Sequence, residues 1–325
     1  MKIRNFFAAL MLLSFIAPSI AMGQNTGINK ENLNPGVKVG DDFYEYANGG
    51  WIKSHPIRPE YGTNSPGIDL YETNQKQLLD IIIGYAKTPQ KKGTLAYKMG
   101  TLYNIFMDSV KLNREKAAPL KTMLAKINGI RNYKDFQRTM AEMESSGTGG
   151  LPIGIGVGVN QKNVDHYIVN LSQGGIRMSS RDYYLNEDST SKAFRAAYKE
   201  HIVNLLMLAG NTKAAAEKKM LASFAIEKAI AQAMYDKVKL RDVDANCHVM
   251  SYLAMKKMYP EIDWDLYFAK LGYPKFNSID VNQIEPIKAI CKLMVTKPIN
   301  DLKAYTDVGV IMSAAEVLSD AFHQE

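Results

Sequence analysis

The chain has 325 residues, a formal net charge of +7 and an apolar content of 46%. That length allows one large domain or two ordinary ones, and burying a core is no obstacle. The basic residues are spread over many segments with Asp and Glu between them, as on a solvated surface. A nucleic-acid footprint would cluster them on one face, and neither a zinc-finger spacing nor a basic run interleaved with aromatics is present.

Lys2 and Arg4 precede an almost wholly apolar run from Phe6 to Ala17, and Ser19-Ile20-Ala21 places small residues where a signal peptidase reads them. Residues 1–21 are therefore expected to be a cleavable signal peptide. The run is shorter than the ~20 residues of a comfortable span, and an uncleaved anchor is the alternative. No Cys follows it, which argues against a lipoprotein. Residues 22–40 are polar, with Asn, Gly and Pro, and read as a flexible lead-in. No later segment is apolar enough to cross a bilayer, so a soluble periplasmic or secreted protein is expected.

From Asn64 onward the pattern is mainly helical. Ser65-Pro66 supplies a cap and a Pro at the first helical position, and Thr88-Pro89 ends the same helix. Ile68, Tyr71, Leu78, Leu79, Ile82, Ile83 and Ala86 share one face of it. Leu95, Met99, Leu102, Tyr103, Phe106, Met107 and Val110 repeat the spacing, and Leu120, Met123, Leu124 and Ile127 mark a shorter helix. Such stripes are usually core. In Ile153, Ile155, Val157 and Val159 the period drops to two, with Gly154, Gly156 and Gly158 between. Tyr167, Val169 and Leu171 alternate again after a polar turn. The spacing predicts a β-hairpin near 151–172 whose glycine face admits close approach of another element. It lacks the spacing of a phosphate loop. Helices follow at 191–208 and 212–237, a stripe at Trp264, Tyr267, Phe268 and Leu271, and a final one from Leu302 to Phe322. That last helix has no Gly cap and nothing after it, so its apolar face is expected to be exposed.

Spacing alone reveals no arrangement for hydrolysis, and paired acids on different segments are not recognisable in a sequence. There is no GxSxG elbow. A zinc-activated water usually needs HExxH, where two His one helical turn apart meet one ion and the Glu serves as base. His55, His166, His201, His248 and His323 include no pair four residues apart. No catalytic or metal-ligating residue is assigned, and no substrate-binding residue can be named. Cys247 and Cys291 could pair or stand as isolated buried thiols.

Several strings nevertheless resemble the neprilysin-type zinc metalloendopeptidase family, which includes bacterial oligoendopeptidase O. Asp41 to Trp51, DDFYEYANGGW, is similar to the family opening at Asp42, Phe43, Tyr46, Gly49, Gly50 and Trp51. Tyr97 to Leu120 resembles its next helical segment. Val159 to Leu185 resembles its strand pair and the ending Arg181-Asp182-Tyr183-Tyr184, with Met178-Ser179 where Leu-Pro is usual. Ile226-Glu227, Arg241-Asp242 with Asn246-Cys247-His248, and Asp263-Trp264 follow in family order. The resemblance implies two largely helical lobes around a cavity, a zinc cofactor and oligopeptide substrates. It also implies that HExxH and the third ligand Glu belong to the second half of a full chain. We thus expect a mainly α, incomplete N-terminal region over 41–325 with one hairpin, binding no zinc itself and inactive alone. A missing C-terminal catalytic half is its expected partner. A split enzyme, or a peptide-binding or interaction module, are the alternatives. Arg58 is offset from the positions where mammalian members hold a substrate carboxylate, and the role is not carried over.

Overall fold

The computed structural model describes residues 27–325. The expected signal peptide lies outside the described residues. The chain divides into two units, one ending at Tyr103 and the other running from Asn104 to Glu325.

In the first unit, α1 (Phe43–Ser54) starts where the Asp42 carboxylate accepts the Glu45 N–H at 2.9 Å, an N-cap. The segment before it folds across this helix: Asn34 N–H donates to the Tyr46 carbonyl at 2.7 Å. Gly50 permits that crossing, because a Cβ there would lie 2.2 Å from the Glu31 carbonyl oxygen. Helix α2 (Pro66–Lys87) begins at Ser65 and ends at Thr88, as the sequence predicts. Helix α3 (Leu95–Phe106) follows, and a Cβ on Gly100 would meet the Tyr85 carbonyl at 2.6 Å, so the two helices touch backbone to backbone. The expected stripe on α2 is helical but not core. No residue of α2 is buried, and Tyr71, Leu78 and Leu79 are exposed.

The second unit carries the core. It comprises α4 (Ser109–Glu115), α5 (Lys121–Asn128), α6 (Tyr133–Ser145), β1 (Ile153–Val159), β2 (Tyr167–Gln173), α7 (Asp182–Leu185), α8 (Ser189–Leu208) and α9 (Lys213–Ala233). These are followed by β3 (Val249–Ser251), α10 (Tyr252–Met258), α11 (Trp264–Lys270), β4 (Ser278–Val281), α12 (Ile284–Thr296), α13 (Ile299–Ala314) and α14 (Asp320–Gln324). The fold is mainly α, as expected, and the hairpin is present. It belongs to a four-stranded sheet of order β1-β2-β4-β3, with β2 and β4 parallel and the other pairs antiparallel. Val169, Leu171, Ile279 and Val281 turn one face of that sheet into the core, against α12.

The expectation of an exposed C-terminal stripe is overturned. Leu302, Val308, Ile311, Leu318 and Phe322 are all buried. Helix α13 lies along α9 and also contacts α8 and α5, which together cover the face a lone terminal helix would expose. After Ala314 the chain turns through Ala315–Val317, and α14 packs back on α4 and α8. The Asp320 N–H donates to Asn113 Oδ1 at 2.9 Å, and Asn113 Nδ2 donates to Asp320 Oδ2 at 2.7 Å. Cys247 and Cys291 are free thiols, both buried. Among the described residues, no helix is long and apolar enough to cross a membrane.

Candidate functional site

The most elaborate polar constellation is built around Glu227. Ser223 and Glu227 lie one turn apart on the buried face of α9. Arg177 comes from the segment after β2, Tyr184 from α7, Tyr198 from α8 and Tyr305 from α13. One Glu227 oxygen accepts from the Ser223 hydroxyl at 3.0 Å and from Arg177 Nη1. The other accepts from Tyr184 OH at 2.6 Å and Tyr198 OH at 2.7 Å. Arg177 Nη2 donates to the Tyr305 carbonyl at 2.8 Å, and its guanidinium carbon sits 4.2 Å from the centre of the Tyr305 ring. The Tyr184 oxygen in turn accepts the N–H groups of Arg177 and Met178.

Burial raises the phenols of Tyr184 and Tyr198, and the Glu227 charge reinforces it. Burial likewise pushes Tyr305 up to about 12. For Arg177, burial works against the charge, but the fields of Tyr305 and Glu227 outweigh it and raise its pKa. The carboxylate already has four donors, so it offers no free lone pair to a substrate or metal. Chemically this is a clamp joining four elements, not a reaction centre.

Beside the clamp lies a cavity of about 390 Å³ between the glycine-rich loop 147–154, Gly174-Gly175, Arg177 and the face of α13 carrying Tyr305, Gly309 and Ser313. Its rim is held by a second buried contact. The Tyr267 hydroxyl donates to Glu144 and accepts the Leu151 N–H at 2.9 Å. Burial raises the Glu144 carboxyl despite that bond.

The sequence-predicted family positions fall in separate places. In the first unit, Phe43 is exposed, Tyr46 supplies the carbonyl that anchors Asn34, and Trp51 stacks on His55 at 4.6 Å. Asp42, Gly49 and Gly50 shape α1 and the segment crossing it. Arg58 is engaged with Glu72, which also accepts from Tyr61 OH at 2.7 Å. In the second unit, Tyr184 enters the clamp, while Tyr183 packs on Phe194 at 4.9 Å. Asp182 opens α7, while the backbone N–H groups of Lys239 and Val238, with a smaller contribution from the Arg181 charge, hold the Asp236 carboxyl below its ordinary value. Arg241 and Asp242 sit in an exposed loop tied down by Asn246, whose Nδ2 donates to the Lys239 and Asp242 carbonyls, both at 2.7 Å. Arg177, Tyr198, Ser223 and Tyr305 were missed by sequence reasoning. Only Ser223 with Glu227 leaves a signal, a polar pair at helical spacing on an otherwise apolar face. Among the described residues, no three His, Cys, Asp or Glu side chains converge as a metal site.

The second unit is thus a large helical body with a small mixed sheet, a polar clamp and a cavity, and comparison with known proteins gives its family. Residues 39–325 match the family model Peptidase_M13_N, described as Peptidase family M13. Endothelin-converting enzyme 1 from Cavia porcellus is 25% identical over 265 residues, covering 79% of this chain and 34% of that protein. Neprilysin-3 from Drosophila melanogaster is 23% identical over 70% of this chain and 30% of its own length. The solved structure of Mycobacterium tuberculosis zinc metalloprotease Zmp1 with an inhibitor superposes with a TM-score of 0.82 at 25% identity. That superposition covers 92% of this chain and 45% of the other. PepO from Lactobacillus rhamnosis HN001 shares the fold, with a TM-score of 0.70 over 88% of this chain and 45% of its own, at 17% identity. The chain belongs to peptidase family M13, the neprilysin-type zinc metallopeptidases. It spans about a third of the length of these curated relatives.

Proposed function

We propose that this chain is the exported, non-catalytic N-terminal region of a neprilysin-like zinc metalloendopeptidase acting on oligopeptides. Residues 1–21 would direct export, 22–40 would be a lead-in, and 41–325 would form the peptidase N-terminal region. The observation that supports this reading is the match of residues 39–325 to the N-terminal family model. It is joined by a chemical one. A zinc hydrolase needs three protein ligands, an open position and a base. The five histidines here never fall four apart, and the best-formed carboxylate, Glu227, is saturated by its own donors. The residues present do not fit zinc, so no step of hydrolysis is assigned to them.

What this region would contribute is architecture. The clamp fixes α7, α8, α9 and α13 against one another beside the cavity. Tyr71, Leu78 and Leu79 leave an exposed apolar stripe on α2. Hydrolysis of an internally quenched peptide by the purified chain tests the reading. No cleavage above the peptide's spontaneous rate is expected. Turnover abolished by a chelator would overturn it.

A further inference from the structure

One feature of the sequence plays no part in this reading: the strand of alternating glycines. Strand β1 lies at the end of the sheet and pairs only with β2 among the described residues. Asn160 N–H donates to the His166 carbonyl at 2.9 Å, which fixes the phase of the antiparallel ladder. Counting back in twos, Gly158, Gly156 and Gly154 are the residues that exchange hydrogen bonds with β2. Ile155, Val157 and Val159 consequently aim their N–H and C=O groups at the open edge. The phase is confirmed from the other side, where the Leu171 carbonyl, opposite Ile155, accepts from Asn282 of the neighbouring segment.

Exposed edges of this kind are ordinarily blunted by Lys, Pro or an inward charge. This one reads Ile-Gly-Ile-Gly-Val-Gly-Val and carries none of them. Val157 and Val159 are exposed on one face, beside the exposed Tyr167. On the other face the glycines present no Cβ, and the first side chains reached across them are those of Asn170 and Ser172. The beginning of the strand lines the cavity of about 390 Å³, large enough to receive a terminal side chain of a docked segment.

We infer that the open edge of β1 binds an extended peptide by strand addition, with every second side chain of the peptide lying across the glycine row. Unpaired backbone groups recognise peptide backbone whatever its sequence, and the bare glycine face then selects bulky residues at alternate positions. The inference takes only its ligand class from the peptidase reading. It concerns binding and not hydrolysis, so either can fail without the other.

The test uses the full chain and a capped hexapeptide of alternating tyrosine and threonine, with binding followed by fluorescence anisotropy and amide exchange. Expected results are saturable binding and slowed exchange at Ile155, Val157 and Val159. Val157→Pro removes an outward N–H and leaves the ladder to β2 intact, so the variant should stay folded and bind at least about tenfold more weakly. N-methylating the peptide on the edge that faces β1 should abolish binding, and methylating its other edge should not. Replacing the tyrosines by alanine should weaken it. The inference is overturned by an absence of binding, by binding indifferent to Val157→Pro and to N-methylation, or by a concentration-dependent dimer through β1 that excludes the peptide.

Discussion

Glu227 is fully buried, and its charge is tolerated because Arg177 pairs with it and three hydroxyls complete its shell. Such a pair adds little net stability over an apolar replacement, but breaking it strands a charge. Glu227→Ala should therefore cost about 3–5 kcal/mol in chemical denaturation, the usual range for orphaning a buried partner. The double change Arg177→Met with Glu227→Leu should cost less than that single change. Glu144 makes a second prediction at this scale. Its folded pKa is raised by burial, so protonation favours the folded state. The stability it confers is complete below the ordinary glutamate value of about 4.3 and is lost as pH rises through the raised value. Compared with Glu144→Gln, the natural chain should thus lose ground in melting temperature between acid and neutral pH. A constant difference across that range would contradict the assignment.

At the scale of elements, local chemistry made much of the fold legible. Ser65 and Thr88 bound α2, and Thr212 caps α9 with its hydroxyl accepting the Ala215 N–H. The change of period at Ile153 marks the hairpin. Strands β3 and β4 were not legible, because each is four residues or fewer and pairs with partners far along the chain. A parallel pairing such as β2 with β4 leaves no turn signal. The last helical stripe was legible as amphipathic, but its cover comes from α9, α8 and α5, which no local pattern reveals. The clamp was half legible for the same reason. Glu227 and Tyr184 fall in family-like strings, while Arg177, Tyr198, Ser223 and Tyr305 join them only in space. Ile311 tests the corrected view of α13. It is almost fully buried, so Ile311→Ala should cost about 2–5 kcal/mol by loss of contacts and creation of a cavity. A change under about 0.5 kcal/mol, typical of surface positions, would return α13 to the exterior.

At the scale of the whole molecule, fold and chemistry separate. The chain has the fold of an M13 peptidase N-terminal region and a buried polar centre committed to holding helices together. The family resemblance was legible in short strings such as DDFYEYANGGW, whose Gly50 the backbone crossing requires. The chemistry of the family could not be read from them, since they shape helix crossings and turns. We propose that these residues hold no zinc of their own. Metal analysis of the purified chain after equilibrium with zinc and gel filtration tests it most directly. No stoichiometric zinc is expected; one tightly held ion per chain, removable by a chelator and restored on addition, would overturn the proposal.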